Sequence, residues 1–236
     1  MAGDVRVETG AMGAVVRPPD PSGKVVLYLH GDRYLSGSPE PALDLAERLA
    51  AQTGATVVCP RYRATFPEAI EDVSAAYERH RPLGPVMVAG NRGGAGLAAA
   101  LLVRLRDEGA RQPACAVLVS PMLDLTLQAP SLLLNAAADP TFDLDELRRR
   151  VTGYAAGTEL TDPLLSPLFA NLHGLPPIRL LAAGSDPLLD DSLAFAARAA
   201  RSGVTVDLQV RPDAAALRPG VLAAIAAFTG TPQAQA

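Results

Sequence analysis

The 236-residue chain contains no tryptophan, three histidines and two cysteines, and aromatic residues make up only 4% of it. The scarcity of cysteine excludes a disulfide framework. Cys59 and Cys115 both fall inside predicted strands, where a lone thiol packs as a small hydrophobe rather than binding metal. An excess of positive charge is also missing. The balance of 21 basic against 25 acidic side chains gives −4, which offers a nucleic acid no electrostatic footprint. No apolar run approaches the ~20 residues that span a bilayer, and the start "MAGDVRVETGAMG" lacks a basic stretch followed by an apolar one. These absences lead to the expectation of a soluble cytoplasmic protein, without metal or other cofactor, whose partner is neither nucleic acid nor membrane. The absent tryptophan belongs to a composition rich in Ala, Arg and Pro and implies nothing about function.

What is present is a chain that is 49% hydrophobic and 19% charged, long enough for one domain (1–236) with an insertion. Short strand-like runs at 4–8 and 12–17 precede "KVVLYLH" (24–30), a continuous apolar run expected of a strand covered on both faces. A helix is predicted over about 40–52, a strand at 55–60, a helix at 67–80, and the strand "VMVAG" at 86–90. Then come a helix over 94–108, a strand at 114–120 and a segment at 121–165 without strand character. The chain closes with a strand at 178–184, a helix at 187–202, a strand at 204–210 and a helix near 217–229. Alternating strands and helices specify a doubly wound, mostly parallel sheet with helices on both faces. Sites in such sheets lie at the carboxyl ends of strands, which singles out His30-Gly31-Asp32-Arg33, the Gly90 to Gly94 turn and Gly184-Ser185-Asp186.

The order of these motifs resembles the hormone-sensitive-lipase-like branch of the α/β-hydrolase fold, α/β-hydrolase fold-3. The matching stretches are "VVLYLHGDRYLSGSPE", "PRYRATFPEAIEDV", "GNRGGAGLAAALLVRLRDEG", "SPMLDLT", "DPLLSPLFANLHGLPP" and "GSDPLLDDSLAFAARAARSGVTVDL". The resemblance implies an eight-stranded α/β-hydrolase sheet and a cap reduced to the insertion 121–165, since only about twenty residues precede "KVVLYLH". It also extends to a homodimer built through the last strand, which "VTVDLQV" by itself does not show.

The departures from the family pattern fall on its chemistry. The nucleophilic serine falls at Arg92, whose guanidinium can be neither acylated nor used as a general base. The histidine, expected after Asp186, falls at about Ala216 in the loop "RPDAAALRPG", and His30, His80 and His173 all lie upstream. In the family's H-G-G-G loop, backbone N–H groups face the oxyanion. Here His30-Gly31-Asp32-Arg33 would put the Asp32 carboxylate beside that hole.

Each candidate therefore has two readings. Arg92 either makes an internal ion pair with Asp32 or Asp186, or holds an anionic ligand together with Arg33. Asp186 before Pro187 is either a helix cap or a base. His30 either anchors its loop or moves a proton, whereas His80 and His173 are read as structural. Gly31 and Gly93, in the loops of the family's backbone donors, join Tyr34, Tyr62 and Tyr154 as ligand-binding candidates, the tyrosines alternatively being packing at the rim. The expectation from these residues is a non-hydrolytic protein, a pseudo-hydrolase by family. It would bind a small anionic or carbonyl-containing molecule and catalyse a cyclisation, dehydration or rearrangement in a biosynthetic pathway, using Arg92, Asp32, His30 and Asp186. The alternatives are a non-catalytic binding protein or regulatory pseudoenzyme, and a residual carboxylesterase.

Overall fold

Side-chain alternation along the strands decides the layers. In β3 (Val25–Leu29) every residue is buried, and Val25, Leu27 and Leu29 enter one core while Val26 and Tyr28 enter the other. The computed structural model describes residues 5–31 and 38–230. Helices α2 (Glu68–His80), α3 (Gly93–Asp107) and α6 (Leu189–Arg201) cover the first core, and α1 (Leu43–Thr53) and α7 (Ala214–Gly230) the second. Such two-sided cover requires strands that are apolar throughout, as the sequence expectation holds.

The other strands are β1 (Arg6–Gly10), β2 (Gly13–Arg17), β4 (Thr56–Pro60), β5 (Val86–Asn91), β6 (Cys115–Val119), β7 (Ile178–Ala183) and β8 (Val206–Arg211). They form one eight-stranded sheet in the order β1-β2-β4-β3-β5-β6-β7-β8. Only β2 runs against its neighbours, pairing antiparallel with β1 and β4, and the remaining ladders are parallel. The chain steps outward from β3 to β4 and returns to place β5 on the other side of β3. The loops after β3 and β5 therefore leave toward opposite faces, and a crevice opens between them.

Helix α3 is buried nearly all round, which its small residues permit. Gly94 is required by close approach: a Cβ there would lie 2.1 Å from the Leu29 carbonyl oxygen, so the helix could not sit on β3.

The segment 121–165 has no strand, as expected, and contributes α4 (Ser131–Leu134) and α5 (Leu144–Ala155). Asp143 starts α5 by accepting hydrogen bonds from the amides of Asp145 (2.9 Å) and Glu146 (3.0 Å). Leu144, Leu147, Val151 and Tyr154, the expected apolar stripe, all pack against the first core. Carboxylates of α6 pin the segment's base: Asp191 accepts from the amides of Leu123 (2.6 Å) and Asp124 (3.0 Å), and Asp190 from that of Ser131 (2.8 Å).

One expected loop is helix instead. Residues 214–216, part of the loop read with Ala216 at the family histidine's place, are the first turn of α7, which was expected to begin near 217. Asp213 caps that start by accepting from the Ala216 amide at 2.8 Å, and three alanines follow it. Pro219 lies inside the helix.

Candidate functional site

Arg92 occupies the sharp turn between β5 and α3, with φ 49° and ψ −120°. A side chain in that backbone region is strained by about 1–3 kcal/mol, so the surroundings must hold it there. They do so through the main chain. The Arg92 amide donates to the Val119 carbonyl (2.9 Å), and its own carbonyl accepts from the amides of Met122 and Ala95 (both 3.1 Å). Ser120, just past the tip of the neighbouring β6, also has a positive φ, of 42°.

The guanidinium lies between two carboxylates. Its Nη1 donates to Asp186 Oδ1 at 3.4 Å and its Nη2 to Asp139 Oδ2 at 3.2 Å. The Asp186 side chain is 4% exposed, against 24% for Arg92 and 20% for Asp139. Removing the cation would therefore leave a buried carboxylate without its countercharge. Asp186 meets Arg92 as the ion-pair reading of the arginine has it, and the same Oδ1 also accepts from the Leu188 amide at 2.9 Å, just before α6. Asp139 is held by its own turn, because its Oδ1 accepts from the Thr141 amide (3.0 Å) and hydroxyl (2.7 Å).

Gly31 is packed onto the turn; a Cβ there would stand 2.5 Å from the Gly94 amide nitrogen and 2.6 Å from the Asn91 carbonyl oxygen. Its N–H donates to the Asn91 side-chain oxygen at 3.1 Å. The His30 carbonyl accepts from the Tyr62 hydroxyl at 2.6 Å, a main-chain bond that fixes the end of β3 whatever the side chain at 30 does. Burial pushes the phenols of Tyr62 and Tyr154 well above their ordinary range, so both are neutral. Tyr62, Tyr154 and Gly93 line a small apolar recess with Gly96, Leu97 and Met122, behind the turn. Asp32, Arg33 and Tyr34 lie outside the described residues.

Two larger cavities flank the Arg92 side chain. One, of about 510 Å³, is bordered by His30, Gly31, Leu147 and Arg150; the other, of about 620 Å³, by Ser120, Ser185, Asp186 and the first turns of α7. Asn91, Arg92, Asp139 and Thr141 line both. Sequence reasoning missed Asp139, Asn91 and Ser120. The only signal for Asp139 was "DPT", an aspartate before proline with threonine two positions on, which marks a local turn but not the residue that turn would face. Among the described residues no group of three His, Cys, Asp or Glu side chains could hold a metal, and no helix is long and apolar enough to cross a membrane.

The architecture agrees with the relatives of this chain. A family model described as alpha/beta hydrolase fold matches residues 26–215. The chain is 38% identical over 219 residues to an acetyl-hydrolase of Streptomyces hygroscopicus, covering 89% of itself and 73% of that protein. It is 33% identical over 186 residues to the putative acetyl-hydrolase LipR of Mycobacterium tuberculosis, covering 75% of itself and 60% of that protein. The structure of a hormone-sensitive lipase from a metagenome library superimposes with a TM-score of 0.89 at 30% identity, over 97% of this chain and 84% of that one.

These relatives overturn the non-hydrolytic expectation. A pseudo-hydrolase turned to cyclisation, dehydration or rearrangement is not what chains named acetyl-hydrolase and esterase point to. That expectation rested on reading Arg92 and Ala216 at the family's serine and histidine positions and Asp32 beside its oxyanion loop, whereas hydrolysis requires an attacking water and a stabilised oxyanion, and neither has to come from a serine. The chain belongs to the α/β-hydrolase fold family, in its hormone-sensitive-lipase-like branch.

Proposed function

We propose that this chain hydrolyses small carboxylic esters by direct attack of water, without an acyl-enzyme. The observation that carries the reading is Arg92 itself: in a chain related to acetyl-hydrolases, a guanidinium stands at the strained strand tip and is held toward the cavities by two carboxylates. In this reading Arg92 takes the place of the family's serine and Ala216 that of its histidine, so no ester can form on residue 92. What an arginine can do is stabilise the oxygen that becomes negative as the carbonyl is attacked.

His30, beside the 510 Å³ cavity, takes a proton from the attacking water and returns it to the leaving alcohol. Water adds to the carbonyl carbon, the bond to the alcohol oxygen breaks, and acid and alcohol leave. Asp186 and Asp139 position the guanidinium. Tyr62, Tyr154, Gly31 and Gly93 shape the ligand-binding surface, and 121–165 serves as the cap of a single domain. A homodimer would form on β8, which lies at the edge of the sheet.

The test is turnover of p-nitrophenyl acetate by the folded protein. The expected rate is above the buffer background, linear from the first turnover, and about 10⁴ to 10⁶ below that of a triad esterase. Substitution of His30→Ala should lower it. Absence of turnover would overturn the reading; an acyl-enzyme burst would overturn the direct-water step and move the nucleophile to a side chain such as Ser120.

A further inference from the structure

We propose that Asp139 is a specificity-determining residue: its bridge to Arg92 is the wall between the two cavities and limits the acyl chain that the site accepts. The inference rests on the ester-hydrolase reading and adds a substrate class to it, short-chain esters.

Asn91, Arg92, Asp139 and Thr141 are the residues shared by the linings of the 510 and 620 Å³ cavities. Of these, the Arg92 and Asp139 side chains meet at 3.2 Å and so span the boundary. The two ends of the bridge are fixed independently. Asp139 is held by the Thr141 amide and hydroxyl through the oxygen that does not face Arg92. Arg92 is held by Asp186 through its other terminal nitrogen.

The stretch leading to Asp139 is fixed as well, because the Asn135 side-chain amide donates to the carbonyls of Gly184 (3.2 Å) and Asp186 (2.9 Å). A bridge with preset ends costs little side-chain entropy to maintain, unlike most pairs between exposed residues. Each lobe alone is large enough for a compact ester. A long acyl chain with its carbonyl at Arg92 fills one lobe and reaches the second only across the bridge. Deleting the Asp139 carboxylate joins the lobes and leaves Arg92 with Asp186 as its partner.

The experiment compares wild type, Asp139→Asn and Asp139→Ala on p-nitrophenyl esters from acetate to decanoate. The expected result is that Asp139→Ala raises the ratio of kcat/KM for decanoate over acetate at least about tenfold. Asp139→Asn keeps the size of the side chain and an acceptor for Arg92, and should change the ratio less than about threefold. An unchanged ratio in a folded Asp139→Ala protein would overturn the proposal. If no variant turns over any ester, the hydrolase reading fails and the wall is read by binding instead. Decanoate should then bind Asp139→Ala about tenfold more tightly than wild type, by an excess that acetate does not share. Equal gains for acetate and decanoate would mean that only a countercharge was removed, and would overturn it.

Discussion

The β5–α3 turn and the segment 121–165 supply the two halves of the Arg92–Asp139 bridge, and they are built in opposite ways. The turn is made by residues adjacent in sequence, packed so closely that glycines are obligatory, with main-chain bonds to the end of β6 and to the loop that follows it. The segment has no strand and reaches the sheet through side chains: an apolar stripe on α5 below, and the carboxylates of Asp190 and Asp191 at its base. The turn is thus fixed by main-chain packing and the segment by side chains. Substitutions should damage the first through sterics and strain, the second through charge and pH.

The largest expected effect is at the turn. Gly94→Ala drives a methyl into the Leu29 carbonyl and should cost about 3 kcal/mol or prevent folding, as measured by chemical denaturation. Next is Arg92 itself. Arg92→Ala keeps the strained backbone and leaves the buried Asp186 carboxylate unpaired, a loss of about 2–3 kcal/mol. Arg92→Gly removes the same charge but relieves the φ of 49°, so it should be about 1 kcal/mol more stable than Arg92→Ala. Equal stabilities would mean that the turn carries no strain.

At the other region the effect depends on pH. Burial pushes the Asp191 carboxyl from 3.8 up to about 7, with Asp124 and Asp190 adding to the shift and the bonds from the Leu123 and Asp124 amides opposing it. A carboxyl whose folded value is raised contributes stability below its unfolded value of 3.8, and that contribution is lost as pH rises to about 7. Asp191→Asn keeps an acceptor for both amides and should flatten that slope. A thermal-melt series from pH 4 to 8 with the same slope in both proteins would contradict the assignment. The smallest effect belongs to the exposed end of the segment: Leu134, 80% exposed, should tolerate Leu134→Ser within about 0.5 kcal/mol.

The same contrast explains what the sequence revealed. The turn was legible because a strand, a glycine-rich corner and a helix follow one another within one stretch, and its family spacing placed Arg92 at the corner. Asp186 was legible from its position before Pro187, and its pairing with Arg92 was one of the two readings offered. Asp139 was not, because its contact with Arg92 joins residues 47 apart through a segment whose only periodicity is that of α5. The α7 boundary, expected near 217, lies three residues earlier, because the Asp213 cap that starts the helix was not recognised in the loop reading of that stretch. The functional expectation failed for a different reason: it was drawn from single residues that depart from the family pattern, whereas the chain as a whole is similar to proteins named acetyl-hydrolase and esterase.

The most direct test of the account is the kcat/KM for p-nitrophenyl acetate of wild type against Arg92→Ala, with both proteins confirmed folded under the assay conditions. If the guanidinium stabilises the oxyanion, the substitution costs about 10²- to 10³-fold. Equal values in the two proteins would contradict the central claim and leave Arg92 as a structural cation between Asp139 and Asp186.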